Sequence, residues 1–140
     1  MGLETRFTQM MVEIGESDAV ISFHMSSDKR SAFFEVATGQ GRSQVVMSQL
    51  ALEPSDEGAT WMLHMLSEVC VAEPSMYEWA LVRNLSLRYG RLAVVESDGL
   101  KNLALVFAQP FEALDAVAFA WAFGELAYMP DGMRESLRST

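Results

Sequence analysis

SQVVMSQLALEPSDEGATWMLHMLSEVCV (residues 43–71) decides the fold. Side-chain character alternates with a period of two, the mark of a half-buried strand. In the second half Trp61, Leu63, Met65, Ser67, Val69 and Val71 fall on one side, and Met62, His64, Leu66, Glu68 and Cys70 fall on the other. EPSDEG (53–58) collects acids, Pro, Ser and Gly, the composition of a turn. The run from Gln44 to Val71 is therefore an antiparallel hairpin.

Upstream the same period continues. Ile21, Phe23 and Met25 alternate with Val20, Ser22 and His24, so residues 19–25 can supply an extra strand. SSDKRS (26–31) is a polar break, and a short β-prone run around Phe34 and Val36 stops at Gly39-Gln40-Gly41. That GQG has no Lys-Ser/Thr after it, so it reads as a turn and not as a phosphate loop. Further back, Leu3, Phe7, Met10, Met11 and Ile14 recur at helical spacing over 3–14, and Gly15 is placed to end that helix in a left-handed conformation.

Downstream, Pro74 precedes Ser75 and Glu78, which fit a capping box opening a helix over 75–89. Met76, Tyr77, Trp79, Ala80, Leu81, Val82, Leu85 and Leu87 make it apolar around most of its circumference, which calls for cover on more than one side. Leu92–Glu96 and Asn102–Ala108 form a second hairpin about Ser97-Asp98-Gly99, and both strands are apolar on both faces, as at a sheet centre or an interface. After Pro110 a last helix runs from Phe111 to about Met129, where Pro130-Asp131-Gly132 breaks it. The order is α-β-β-β-α-β-β-α, an α+β fold with an antiparallel sheet in one domain spanning 1–140.

Three blocks carry a family resemblance. GRSQVV (41–46) resembles a strand opening, and Ser67-Glu68-Val69 a strand ending, of the YbjN-type, type III secretion chaperone-like domains. ALVRNLSLRYGRLAVVESDGLKNLALVFAQPFEALD (80–115) resembles their most typical block, a helix closing on Asn, leucines and Tyr-Gly, then a hairpin and the start of the last helix. The resemblance spans roughly residues 31–129. It implies a class I secretion-chaperone fold: a strongly twisted antiparallel sheet with helices mostly on one side, in a protein that dimerises and holds an extended client segment against apolar patches. The chain departs from the pattern at Pro130, where the last helix would be expected to continue, and the resemblance leaves 26–31 unplaced.

Charge and chemistry narrow the function. Lys and Arg number 10 against 19 Asp and Glu, a net charge of −9. That argues against nucleic acid and anionic membrane as partners, since both reward basic patches. Cys70 is the only cysteine, so no internal disulfide exists, and with no leader or membrane span recognisable the expected location is cytoplasmic. His24, His64 and Cys70 are the only soft-metal ligands, and the last two lie about 20 Å apart along a strand, too far to share one ion. No nucleophile triad or paired acid–base set is visible, so no enzyme activity, metal or cofactor is expected. Arg83, Arg88 and Arg91 are expected to pair with the surplus acids or to line an interface rim.

The expected function is a non-enzymatic homodimer that binds a partner polypeptide. Trp79, Val82 and Leu85 are the dimer contacts, and Met47, Met62, His64 and Leu66 the partner contacts, on strand faces least committed to the core. The alternative is a YbjN-type regulatory or scaffold domain that meets a folded partner through a flat polar face and has no export role.

Overall fold

The computed structural model describes residues 2–139. Its elements are α1 (Leu3–Gly15), β1 (Val20–Met25), β2 (Ser31–Gly39), β3 (Arg42–Ser55), β4 (Gly58–Val71), α2 (Tyr77–Arg83), β5 (Arg91–Ser97), β6 (Leu100–Pro110) and α3 (Ala116–Arg138). The six strands form one antiparallel sheet in the order β1-β2-β3-β4-β6-β5, so the fold class is α+β. The expected order α-β-β-β-α-β-β-α gains one strand, because residues 20–25 pair with β2 at the sheet edge. β5 is the opposite edge, not the centre, while β6 is flanked on both sides.

The turns follow from local chemistry. Asp98 and Gly99 both take positive φ (52° and 79°) between the paired Ser97 and Leu100, the geometry that matches the twist of a two-residue hairpin. Gln40-Gly41 closes β2 onto β3, with Gly41 at φ 70°.

All three helices contribute to one buried cluster against a single face of the sheet. Phe7 and Met11 of α1, Phe34 of β2, Leu50 of β3, Leu63 and Met65 of β4, Leu103 and Leu105 of β6, and Phe119 and Leu126 of α3 are almost fully buried. Phe34 stacks on Phe23 at 5.1 Å between ring centroids and meets Phe123 edge-on at 4.9 Å. Burying each such side chain contributes about 1.5–3 kcal/mol.

Five expectations about the helices are corrected. Gly15 is the last residue of α1 and is not left-handed. A Cβ there would lie 2.7 Å from the Phe23 ring, so close approach of β1 is what glycine permits. The Ser75–Glu78 capping box does not form. Pro74 opens a short 3₁₀ turn after the extended Glu73, so Ser75 already lies inside the turn, and α2 has no side-chain cap. A second 3₁₀ turn at Asn84–Ser86 ends the helical segment well before Gly90. The last helix does not start at Phe111. The Arg6 guanidinium donates to the carbonyls of both Phe111 and Leu114, leaving a 3₁₀ turn there, and Asp115 then caps α3 by accepting from the Ala118 N–H at 2.7 Å.

The fifth correction is Pro130, which sits buried inside α3 and does not break it. The turn beyond it is held by the sheet. Arg134 donates to the carbonyls of Glu68 and Val69, to Gln44 Oε1 at 2.8 Å and to Asp131 at 2.6 Å. Thr38 donates to the other Asp131 oxygen at 2.6 Å, with Arg42 at 3.5 Å. The Thr38 hydroxyl and the Arg134 guanidinium hold the Asp131 carboxyl below its usual range. A depressed carboxylate stabilises the fold at neutral pH, and that contribution fades as pH falls through the ordinary carboxylate range toward the folded value. Asp131→Asn is therefore expected to flatten the acid limb of the stability curve. Urea unfolding measured from neutral pH down to about pH 3 checks it; parallel wild-type and variant curves would show no linkage at this site.

Candidate functional site

The helices leave the other face of the sheet bare. Register carries one row of side chains across it: His24, Phe33, Met47, Leu66, Val106 and Arg91 are successive cross-strand partners on β1, β2, β3, β4, β6 and β5. Next to this row, His64 pairs in register with Gln49, and Met62 with Ala51. The alternation in 43–71 thus brings Met47, Met62, His64 and Leu66 together on the bare face, each half-buried. Phe33 is 39 % exposed and Val45 55 % exposed.

The face is concave. A trough of about 690 Å³ is lined by Phe33, Val45, Met47, Leu66 and Glu68 from the sheet centre and by Val95, Glu96 and Ser97 from β5. Strands β5 and β2 are far apart in the sheet order, so only a strongly curled sheet lets both line one hollow. Ala104, the cross-strand partner of both Glu68 and Ala93, is fully buried without belonging to the helix-side core, as expected at a concave floor. At the end away from the trough, His64 Nε2 lies 2.9 Å from Glu53, both half-exposed.

A second apolar surface lies on α2 and the 3₁₀ turn at Asn84–Ser86 that follows it. Leu81 is 70 % exposed, Val82 61 % and Leu85 89 %. Trp79 is half-buried, with the Arg83 guanidinium 4.9 Å above its ring. Met76, Trp79, Val82 and Leu85 join Leu137 of α3 around a hollow of about 1050 Å³ that is rimmed by Glu73, Glu78 and Arg83. The pairing expected for Arg83, Arg88 and Arg91 does not occur: among the described residues none of the three forms an ion pair. Arg83 instead stacks on Trp79 and reaches Ser136, and Arg91 donates to the carbonyls of Leu87 and Gly90.

Cys70 is not on the His64 side. A bulge between Glu68 and Cys70 turns it to the helix side, where its Sγ lies 3.8 Å from Met76 Sδ. Burial pushes the Cys70 thiol up, outweighing Arg134 nearby, which favours the protonated form. Among the described residues, no group of three or more His, Cys, Asp or Glu is placed to hold a metal ion. No helix among them is long and apolar enough to cross a membrane.

Both surfaces offer apolar area and hydrogen-bonding rims, the means of binding.

No protein-family model matches the chain, and no curated protein matches it.

The sequence reading missed Phe33, Val45, Val95, Glu68 and Glu96 as lining of the trough, and Leu81 on α2. Val45 was reachable from its shared parity with Met47 on β3, and Phe33 by extending the alternation through the GQG turn into β2. Val95 and Glu96 were not, since they join the trough only through sheet curvature.

Proposed function

We propose that the chain is a non-enzymatic, homodimeric protein-binding module with a secretion-chaperone-like fold, acting in the cytoplasm. It dimerises through α2 and holds a partner polypeptide on the bare sheet face. The observation that carries this reading is the exposure of Leu81 and Val82 on a helix of only seven residues and of Leu85 on the 3₁₀ turn that follows it. So much apolar surface on so short a segment is costly in water and marks a contact site. The hollow beside it carries both signs of charge, Glu73 and Glu78 with Arg83, so a two-fold-related copy can set its Arg83 against the acids. The apolar concavity of the sheet favours a held segment over a folded partner, which a flat polar face would suit better.

Light scattering at micromolar concentration is expected to give twice the mass of the chain. Leu81→Glu combined with Leu85→Glu is expected to raise the dimer Kd by about a hundredfold or more, because each buries a charge at the contact. Both side chains are exposed in the single chain, so circular dichroism should show an intact fold. A wild-type protein that stays monomeric at tens of micromolar sinks the dimer.

A further inference from the structure

We infer that the trough on the bare sheet face takes an amphipathic helix whose apolar stripe is bordered by Lys or Arg. This rests on the reading of that face as the docking surface and adds the partner's charge and conformation.

Charge complementarity sets the first half. Phe33, Val45, Met47, Leu66 and Val95 supply an apolar floor and wall, and the only charged residues lining the trough are Glu68 and Glu96. Both carboxylates are in exposed positions, and among the described residues neither has an ion-pair partner, although Glu96 stands opposite Lys101 in the ladder, so Glu68 carries the larger share of the field. Unpaired acids beside apolar surface repel an acidic occupant and attract a cationic one. A second copy of this chain, at −9, would set like charges against Glu68 and Glu96. Nucleic acid and anionic lipid are repelled for the same reason.

Backbone accounting sets the second half. The trough floor is made of β2, β3 and β4, each paired on both sides, and its wall is made of β5, an edge strand. The N–H and C=O groups of the floor strands are taken up by the sheet, so the floor offers side chains only. A segment lying there loses water from its own backbone and finds no main-chain partner below. Over the floor it must satisfy its peptide groups internally, which a helix does and a lone extended strand does not; an extended segment would have to pair with the open edge of β5 at the wall, the case that the alternating peptide tests. Met47 in the floor suits an irregular helix surface, being unbranched and polarisable.

The test uses the full chain and fluorescently labelled peptides about four turns long. The first repeats Leu and Lys at helical spacing. One comparator replaces Lys with Gln, another replaces Lys with Glu, and a third alternates Leu and Lys with period two. Fluorescence anisotropy gives the affinities, and the Met47 methyl resonance reports the place. The helical Leu/Lys peptide is expected to bind and to shift Met47. Glu68→Gln with Glu96→Gln should weaken it about tenfold, while Glu13→Gln with Glu135→Gln, the same charge change on exposed helix positions, should leave it nearly unchanged.

If the Gln or Glu peptide binds as tightly and shifts Met47, the cationic preference is wrong and the docking face stands. Equal binding of the alternating peptide removes the helix. Binding without a Met47 shift, or equal weakening by both double variants, shows diffuse attraction to an acidic protein and overturns the inference. If no peptide perturbs Met47, the inference and the docking face fall together.

Discussion

Arg134→Met is expected to lower the unfolding free energy by about 3 kcal/mol and the midpoint of thermal unfolding by about 10 °C. Methionine keeps the aliphatic stem and removes only the guanidinium. Four acceptors then lose the Arg134 donor: the carbonyls of Glu68 and Val69, Gln44 Oε1, and the Asp131 carboxylate, of which the Glu68 carbonyl keeps the Gln44 amide and Asp131 keeps the Thr38 hydroxyl. The two carbonyls adjoin the β4 bulge, where the ladder to β6 is interrupted, and Arg134 is the donor from α3 that reaches them. The Arg134 side chain is 28 % exposed, so water can replace part of the loss, which is why the figure sits at the low end for a broken charged cluster. Arg134→Lys should recover less than half, because an ammonium cannot span acceptors spread over β3, β4 and α3. Chemical denaturation measures the difference, and hydrogen exchange should show faster opening at Val69–Val71 than in the hairpin tips. A loss under about 1 kcal/mol would mean that the network is solvent-screened and that Pro130 is tolerated for another reason.

The elements that were legible in the sequence owe their form to neighbours a few residues away. Alternation placed β3 and β4 because side chains on a strand point to opposite faces whatever the rest of the chain does. Asp98-Gly99 announced its turn because two consecutive positive φ values suit few other pairs. Misreadings arose where a distant residue outvotes the local signal. Pro130 looks like a stop, yet Arg134 and the buried Met133 tie the following turn to the sheet across tens of residues. Phe111 looks like a helix start, yet Arg6 takes its carbonyl from the other end of the chain. Cys70 looks as if it shares a face with His64, yet one bulged residue inverts the parity. For the candidate site, Met47, Met62, His64 and Leu66 were readable as one face from parity alone. The curl that brings Val95 and Glu96 over that face was not, since twist accumulates over the whole sheet and leaves no mark on any single strand.

Glu125→Ala is expected to cost about 2–3 kcal/mol and, through a residue that lies off α2, to weaken the proposed dimer. The Glu125 carboxylate of α3 accepts three consecutive backbone N–H groups, from Arg88 at 2.9 Å, Tyr89 at 3.0 Å and Gly90 at 2.7 Å. These residues link the end of the α2 region to β5. The link is held tightly elsewhere too: Leu87 is buried, a Cβ on Gly90 would come within 3.0 Å of Leu126, and Asn84 both donates to and accepts from the Leu92 backbone. Alanine at 125 leaves three donors without their acceptor at once. Glutamine is informative because its oxygen can serve two of them, while its amide nitrogen then meets the third donor to donor. Glu125→Gln should therefore lose a substantial fraction of the same stability despite being nearly isosteric. Leu81, Val82 and Leu85 gain affinity for a second copy only if α2 is held in one orientation, since a mobile anchor must be ordered at the moment of association. The dimer Kd of Glu125→Ala should rise severalfold at a temperature where the monomer is still folded, alongside faster amide exchange at Arg88, Tyr89 and Gly90. Faster exchange with an unchanged dimer Kd would separate the two and place the dimer contact somewhere other than α2.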